Sequence, residues 1–307
     1  MQKRAKGMDS DKRTKLLFYI CLLVLPLTQF LIFYVYVNFN SFVLAFESYD
    51  VFTNTSKFVG FDNFEKIFND LFVNGSFNIM FKNSLTAWIW TMFVGIPFSI
   101  LFSNYIYKKG PLSNTFKTFL YMPQVISSVV LVIIFKYLSE LGIPSLWKSI
   151  TGETIEGLYT NKETAFQTVL FFSIWAGFGT QVLMYLSSMS GIDLSISEAA
   201  KIDGVNYIQE LWFVTIPMIF PTITTFILVG IAGIFNNQVN LYSFGGPSVP
   251  GEIETLGYYM YMQLQQNSTN VTAWPKLSAL ALMFTFFVAP VTFFVRWLLN
   301  KYGPKVD

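Results

Sequence analysis

Six long apolar runs constrain this chain more than any other feature of its sequence. Each run holds about 20 or more mostly apolar residues, which is the length that a helix needs to cross a bilayer. The runs are Leu16–Val37, Ser84–Tyr107, Thr118–Tyr137, Ala165–Ser188, Ile219–Val239 and Leu277–Leu299. A membrane β-barrel would instead show segments of about ten residues with alternating polarity. The sequence therefore predicts an all-α membrane protein with six transmembrane helices.

The composition agrees with lipid as the main solvent and excludes most chemistry. Charged residues make up 12% of the chain, about half of the roughly 25% found in soluble domains. The chain has no His and a single Cys, Cys21, so a histidine base and a cysteine-rich metal site are both excluded. We expect no catalytic residue, no metal site and no cofactor on this chain. The net charge of +2 is too small to suggest nucleic acid as a partner.

Basic residues indicate how the runs are oriented, because Lys and Arg resist translocation across a membrane. They concentrate near both termini and in the connection after the second run: Lys3, Arg4, Lys6, Lys12, Arg13, Lys15, Lys108, Lys109, Lys117, Arg296, Lys301 and Lys305. The connections predicted on the opposite side are long, at about 38–83, 138–164 and 240–276, and carry fewer basic residues. Both termini are therefore predicted to be cytoplasmic.

The connection between the fourth and fifth runs, about 190–217, departs from the charge pattern. It carries four acidic residues against one lysine. Ser197 is expected to cap a short helix that begins at Glu198, and Gly204 is expected to end it. A second helix then runs from Val205 to Thr215. From general physics alone, an amphipathic segment at the membrane interface remains an alternative for this connection.

The exact string of this connection carries a resemblance to a known family. Glu198-Ala199-Ala200-Lys201-Ile202-Asp203-Gly204 is followed, after nine residues, by Val214-Thr215-Ile216-Pro217. This pattern resembles the EAA loop of ABC importer permeases. Val59–Phe64, Tyr121–Gln124 and Gly245–Pro247 are similar to segments of the carbohydrate-uptake, maltose-type branch, and Thr255 to Tyr261 to the first permease of its pairs. The resemblance implies the type I ABC importer transmembrane fold.

The same resemblance implies a function and a set of partners. The chain would be a permease subunit that forms half of the translocation pathway for a sugar or oligosaccharide. Its partners would be a second homologous permease in a heterodimer, two ATPase subunits, an extracellular solute-binding protein and membrane lipid. No phosphate-binding loop occurs in the chain, so ATP and Mg are expected on the ATPase subunits and this subunit is not expected to be an enzyme.

Location and domain organisation follow from the same resemblance. The chain is expected in the plasma (inner) membrane of a bacterial or archaeal cell. Residues 1–80 would hold the cytoplasmic amino terminus, the first transmembrane helix and an outer loop. Residues 81–300 would form the transmembrane core with the coupling loop, and residues 301–307 a cytoplasmic tail.

Two groups of site residues are implied. The resemblance assigns docking on the ATPase to five residues of the loop: Glu198, Ala199, Ala200, Asp203 and Gly204. It places the substrate pathway near five positions: Gln124, Ser128, Gly177, Gly230 and Asn237. Asn236 joins this group because it belongs to the densest cluster of amides within a predicted span. Hydrogen bonding between helices, or exposure at the outer interface, is the alternative role for that cluster.

Three other functions remain open on sequence grounds. One is an ABC permease for a solute other than a sugar. Another is a secondary transporter or channel that acts alone, which usually places paired charges within its spans. Here only Lys136 lies deep within a run, and its ammonium group is expected to reach the interface. A membrane enzyme is disfavoured because His is absent and no acidic cluster lies within the spans.

Overall fold

Helices account for most of the residues in the computed structural model, which describes residues 2–73 and 77–304. The chain divides into two compact units, one of residues 1–70 with 267–283 and one of residues 71–266 with 284–307. The last three residues of the predicted tail, 305–307, lie outside the described residues. The predominantly helical architecture agrees with the expectation from the apolar runs.

The first unit begins with a long helical segment. Helix α1 (Gln2–Gln29) continues through a π-helical turn, Phe30–Tyr36, into α2 (Val37–Leu44). From Leu16 to Val37 the apolar side chains of this segment are exposed. Because exposed apolar surface of this extent is unfavourable in water, the segment is built to contact lipid or another protein.

A small hairpin follows in the first unit and departs from the all-α prediction. Strand β1 (Glu47–Asp50) pairs antiparallel with β2 (Thr55–Phe58), and Asn54 supplies a left-handed residue, with φ of 52°, at the turn. The next helix is α3 (Asp62–Phe68), which continues into a π-helical turn, Asn69–Val73. The predicted outer connection 38–83 is therefore a folded structure and not an irregular loop.

The side-chain amide of Asn63 ties α3 to the hairpin. Its nitrogen donates hydrogen bonds to the carbonyl oxygens of Ala45 at 2.9 Å and Glu47 at 2.7 Å. Four phenylalanine rings surround Phe46 at centroid distances between 5.3 and 6.5 Å: Phe42, Phe58, Phe61 and Phe64. Aromatic packing and the two hydrogen bonds of the buried Asn63 amide therefore hold this segment together.

The second unit consists mainly of helices. In chain order they are α4 (Phe77–Trp90), α5 (Ile96–Tyr107), α6 (Ser113–Val125), α7 (Ser128–Tyr137), α8 (Ile143–Thr151), α9 (Ala165–Ser190), α10 (Leu194–Ile202), α11 (Tyr207–Glu210), α12 (Ile216–Met218), α13 (Phe220–Ala232), α14 (Leu241–Gly245) and α15 (Leu256–Gln266). Three π-helical turns, Thr91–Gly95, Leu138–Gly142 and Leu211–Thr215, and a 3₁₀ turn, Gly251–Ile253, join some of them. The last helix, α16 (Trp274–Tyr302), begins in the first unit and ends in the second.

Five helical segments of the described chain are long and apolar enough to cross a membrane: Lys12–Leu44, Phe77–Tyr107, Ser128–Thr151, Ala165–Ser190 and Trp274–Tyr302. A sixth candidate consists of two helical pieces, Tyr207–Met218 and Phe220–Ala232, which meet at an angle of 70°. Pro217 and Pro221 flank the bend, and proline interrupts helical hydrogen bonding. The described chain thus offers five spans, or six when the bent pair counts as one.

The third predicted span has different bounds in the structure. The run Thr118–Tyr137 is divided between α6 and α7, because Ile126 and Ser127 have extended backbones with ψ of 141° and 132°. The apolar helix that follows continues to Thr151, well past the predicted end. The fifth predicted span is also shorter than expected, since α13 ends at Ala232.

Helices α5 and α9 pack closely through small polar residues. Ser103 and Ser99 are fully buried between them. The Ser103 hydroxyl donates to the carbonyl oxygen of Val182 at 2.9 Å, and the Ser99 hydroxyl donates to Oε1 of Gln181 at 3.0 Å. Small residues allow helices in a membrane to approach each other closely, and hydroxyls then bond across the contact. Both helices contribute residues to the cavities described below.

Candidate functional site

A cavity of about 550 Å³ lies among the apolar helices of the second unit. Residues of α4, α9 and α13 and of the π-helical turn Thr91–Gly95 line it. Its lining includes four of the residues predicted for the substrate pathway: Gly177, Gly230, Asn236 and Asn237. The structure therefore brings together residues that are up to 60 positions apart in the sequence.

The two asparagines lie in the turn that ends α13. The backbone N–H groups of Asn236 and Asn237 donate to the carbonyl oxygen of Gly233 at 3.0 and 2.9 Å. The side chain of Asn237 accepts a hydrogen bond from the backbone N–H of Val239 at 2.9 Å. The Oδ1 atom of Asn237 therefore holds the turn, while its NH₂ group is left as the donor that a ligand could use.

The start of α15 and Thr255, the residue before it, pack against the backbone of this turn. A Cβ atom on Gly257 would lie 2.5 Å from the backbone carbonyl of Asn237, which is closer than real Cβ atoms come. The hydroxyl of Thr255 also donates to the carbonyl oxygen of Asn237 at 3.3 Å. The position of the asparagine turn therefore depends on a glycine in a helix that the sequence did not connect with the cavity.

The two predicted cavity glycines have different surroundings. A Cβ on Gly177 would meet nothing within 4 Å, so this position opens onto free space. A Cβ on Gly230 would lie 2.1 Å from the terminal methyl carbon of Met92. Gly177 thus contributes room to the cavity, whereas Gly230 gives room to the Met92 side chain.

Gln124 and Ser128 are not among the described residues that line this cavity. Gln124 lies on α6 against α9, where its Nε2 atom would be 2.9 Å from a Cβ on Gly179. Ser128 is exposed at the start of α7. Their assignment to the substrate pathway stays a prediction, which this cavity does not support.

Sequence reasoning missed five polar residues of the lining: Ser84, Trp88, Thr91, Thr180 and Gln181. The indole nitrogen of Trp88 is buried and has no hydrogen-bond partner among the described residues. An unpaired buried donor is unfavourable unless a ligand or water pairs with it. The signal available in the sequence was the presence of Trp88 and Thr91 within an apolar run.

The loop between α9 and α13 folds into helix α10 and a bent continuation. The side chain of Asp193 caps α10 by accepting from the backbone N–H of Ser195 at 2.9 Å. This hydrogen bond holds the pKa of Asp193 below its usual value. The predicted cap, Ser197, is wrong: Ser197 lies within α10 and is buried. Its hydroxyl donates a hydrogen bond to Glu210.

Gly204 ends α10 as expected, in the left-handed conformation with φ of 76°. The backbone N–H of Val205 donates to the carbonyl oxygen of Ala200 at 3.1 Å, and that of Gly204 donates to Lys201 at 3.1 Å. These two bonds form a Schellman motif, in which glycine is the favoured left-handed residue. A new helical segment then begins at Tyr207, capped by Asn206 and Gln209 in a capping box.

Four of the five predicted docking residues are exposed on this loop: Glu198, Ala199, Asp203 and Gly204. Ala200 is buried and faces the body of the second unit. Ile202, which follows in α10, exposes 85% of its surface. The loop thus presents a small exposed surface that includes the Glu198 carboxylate and the apolar side chain of Ile202.

A buried polar cluster connects α10 to two other helices. The Lys108 ammonium group, just after α5, forms an ion pair with Oε1 of Glu210 and donates to the Ser197 hydroxyl at 3.1 Å. The Ser197 hydroxyl donates to the same Glu210 oxygen at 2.6 Å. The side chains of Lys108 and Glu210 are only 20% and 8% exposed. The cluster therefore fixes α10 relative to α5 and α11.

Lys136, which was expected to reach the interface, is half-buried and makes contacts within the protein. Its ammonium group donates to the carbonyl oxygen of Phe244 at 3.0 Å and lies 5.0 Å from the centre of the Tyr159 ring. A carbonyl dipole and an aromatic face both stabilise a cation. Lys136 therefore ties α7 to α14, and these contacts give it a structural role.

Among the described residues no group of three or more His, Cys, Asp or Glu could hold a metal ion.

Comparisons with known proteins give the chain a family. The model of the family described as "binding-protein-dependent transport system inner membrane component" matches residues 95–307. The arabinooligosaccharides transport system permease protein AraP of Bacillus subtilis (strain 168) is 27% identical over 240 residues, which cover 76% of this chain and 74% of that protein. The multiple sugar-binding transport system permease protein MsmF of Streptococcus mutans is 24% identical, over 78% of this chain and 81% of that protein.

A solved structure is similar over almost the whole length. It is a crystal structure of a bacterial ABC transporter involved in the import of the acidic polysaccharide alginate, with a TM-score of 0.75 and 20% sequence identity. The similarity covers 96% of this chain and 98% of the matched chain. The fold of an ABC importer permease, expected from the loop between the fourth and fifth runs, is therefore confirmed. The chain belongs to the family of binding-protein-dependent transport system inner membrane components, and is an integral membrane subunit of an importer.

Proposed function

We propose that this subunit forms half of the membrane pathway for a sugar or oligosaccharide in an ATP-driven importer. The observation that carries the proposal is the 550 Å³ cavity with the NH₂ group of Asn237, the free indole N–H of Trp88 and the open space at Gly177. Amide and indole donors suit sugar hydroxyls, and an indole face suits a sugar ring. Relatives whose names state sugar or arabinooligosaccharide transport support the same substrate class.

The remaining partners belong to the same proposal. A second homologous permease completes the pathway, and two ATPase subunits bind ATP and Mg. An extracellular binding protein delivers the sugar. A solved relative of similar fold forms a complex with an alginate pentasaccharide-bound periplasmic protein, which supports this last partner. We further propose a six-span topology with both termini in the cytoplasm, and the division into residues 1–80, 81–300 and 301–307.

We propose that the loop around α10 transmits ATPase movements to the spans. Glu198, Ala199, Asp203 and Gly204 are exposed, as residues that dock on a separate subunit must be. The carboxylate of Glu198 would pair with a basic group of the ATPase. Ala200 contributes differently, since it packs inward and lets α10 lie close to the rest of the unit.

Uptake of labelled sugars by the reconstituted importer tests the cavity. Gly177→Trp should abolish uptake because the indole would occupy free space, whereas Gly177→Ala should leave uptake nearly unchanged because a Cβ meets nothing within 4 Å. Asn237→Asp keeps the oxygen that accepts from Val239 and removes the NH₂ donor. It should lower uptake by about tenfold, the effect of one lost hydrogen bond to a ligand.

The outcome that contradicts the proposal is equally specific. Full sugar uptake by Gly177→Trp, in a protein that still assembles with its ATPases, would exclude this cavity as the pathway. Uptake of an amino acid or a metal ion, and of no sugar in a broad panel, would favour the alternative of an ABC permease for another solute.

A further inference from the structure

A second cavity, distinct from the one described above, lies where α5, α6, α9 and α10 come together. Its volume is about 830 Å³, within the range of about 300–1,000 Å³ that small-molecule sites occupy. Four lysines line it, and none of its lining residues is acidic: the lysines are Lys108, Lys109, Lys117 and Lys201. The proposed sugar pathway does not use these residues.

Three of these lysines form no ion pair in the described chain, although Lys201 interacts electrostatically with the Glu210 carboxylate. Lys108 forms its ion pair with Glu210, which does not line the cavity. No ion pair joins Lys109, Lys117 or Lys201 to an acidic group of the described chain. Ser113, Ser190 and Asn114 add hydroxyl and amide groups to the lining. The cavity therefore combines excess positive charge with neutral hydrogen-bonding groups, which is the donor set that phosphate oxygens require.

The turn that carries two of these residues has an unusual backbone. Lys109 and Leu112 both adopt left-handed conformations, with φ of 53° and 57°, although neither is glycine. Tyr105 fixes the turn, since its hydroxyl donates to the carbonyl oxygen of Pro111 at 2.5 Å and its ring packs where a Cβ of Gly110 would lie. Strained backbones of this kind concentrate at functional sites. The turn thus holds Lys109 at the cavity edge in a fixed conformation.

The position of the cavity relates it to the membrane surface. Lys108 and Lys109 follow directly the apolar segment Phe77–Tyr107. Apolar side chains of α6 and the turn before it remain exposed next to the cavity: Leu112 at 77%, Phe116 at 39% and Phe119 at 67%. Basic pockets between helices at the cytoplasmic end of transmembrane segments attract the headgroups of anionic lipids.

We propose that this cavity binds a phosphate-bearing anion, held by Lys109 and Lys117 on one side and by Lys201 of α10 on the other. The anion is either the headgroup of an anionic phospholipid or a free organic phosphate, because both present the same oxygens. Glu198 does not line the cavity, so the bound anion would leave the proposed docking carboxylate free. Binding would also bridge α10 to the α5–α6 turn.

Titration of the purified importer with three probes tests the proposal and identifies the source of the anion. The probes are dihexanoyl phosphatidylglycerol, glycerol 3-phosphate and, as the zwitterionic comparison, dihexanoyl phosphatidylcholine; native mass spectrometry counts the bound molecules. Tighter binding of the phosphatidylglycerol alone indicates a lipid headgroup. Binding of glycerol 3-phosphate as well indicates that the phosphate group suffices. Equal, weak binding of all three overturns the proposal.

Variants distinguish the cavity from general surface charge. Lys109→Gln combined with Lys117→Gln should weaken binding by about thirtyfold, since each lysine near a membrane surface contributes about fivefold. Lys109→Arg with Lys117→Arg keeps both charges and should retain binding. Lys57→Gln with Lys148→Gln removes the same charge at other exposed sites and should have no effect. Unchanged binding by the glutamine pair at 109 and 117 would refute the site, whatever sugar the importer carries.

Discussion

At the scale of single residues, the ion pair of Lys108 and Glu210 is unusual for a connection between apolar helices, because its two charges are withdrawn from solvent. Both side chains are largely buried, and Ser197 completes their hydrogen bonding. A buried charge that loses its partner is strongly destabilising, whereas a complete cluster can specify one arrangement. The three residues come from α10 and from the ends of two neighbouring helices, so the cluster acts as a fixed joint for the loop. We regard Lys108, Ser197 and Glu210 as positioning residues.

A double-mutant cycle measures this joint. Lys108→Met, Glu210→Gln and the combined variant should give a coupling free energy of about 1.5–3 kcal/mol, the range for hydrogen bonds to charged groups. The measurement is the free energy of unfolding in mixed detergent micelles, together with sugar-stimulated ATPase activity. The matched control is the exposed pair of Lys66 and Asp62, 2.6 Å apart, whose coupling should stay below about 0.5 kcal/mol. Equal coupling in the two pairs would exclude the joint.

Comparison of these residues with the sequence prediction shows what a local pattern can and cannot reveal. The spacing from Glu198 to Gly204 predicted the helix end correctly, because only a left-handed residue closes a Schellman motif. The predicted cap at Ser197 was wrong because its hydroxyl bonds to Glu210 and Lys108, and neither contact follows from spacing along α10. Asp193 was free to cap instead. Long-range contacts decided between two chemically suitable residues.

The cavity shows the same division between local and long-range information. The family resemblance implied Asn237, and Asn236 was added because amides within an apolar run are costly unless buried; both line the cavity. Gln124 was assigned to the same pathway, but α6 places it against Gly179. Hydrophobicity did not reveal the extended backbone at Ile126 and Ser127 that separates α6 from α7. Trp88 escaped notice because an unpaired indole can be recognised only once its neighbours are known.

At the scale of elements, the end of α10 sets the angle at which the chain leaves the loop. Gly204 has φ of 76° and nothing within 4 Å of its missing side chain. A substitution here is therefore penalised by the backbone alone and not by a clash. The same residue is exposed and belongs to the proposed docking surface. The conformation and the surface can be separated by the choice of substitution.

Gly204→Ala should weaken coupling, because a left-handed alanine costs about 1–2 kcal/mol. We expect less sugar-stimulated ATPase activity at an unchanged amount of assembled importer. Gly204→Asn should retain most of the activity, since asparagine tolerates the left-handed conformation. The control is Gly191→Ala in the same loop, where a Cβ would lie at an ordinary 3.4 Å from Ser188. Loss of activity in the asparagine variant, at normal assembly, would show that surface shape matters more than conformation.

At the scale of the whole molecule, the number of spans decides where every connection lies. Five segments of the described chain qualify by themselves, and the bent pair Tyr207–Met218 and Phe220–Ala232 is the open case. If the pair crosses, the chain makes an even number of passes and both termini lie on one side. If the pair enters and leaves on one side, everything after Ala232 is inverted. The side of the membrane on which the carboxyl terminus and the connection 240–276 lie therefore shows whether the bent pair crosses.

Cysteine labelling resolves this question, because the chain has one cysteine, Cys21. In a Cys21→Ser background, the probes are Ser248→Cys, which precedes α16, and Lys301→Cys, in the last turn of α16; both residues are exposed. With six spans, a membrane-impermeant maleimide should label intact cells at position 248 and not at 301; with five, the pattern reverses. Glu156→Cys serves as the outer reference, since it precedes the bent pair and both topologies place it outside. Six spans agree better with the charge distribution, because Arg296, Lys301 and Lys305 then lie on the cytoplasmic side, where positive charge is retained.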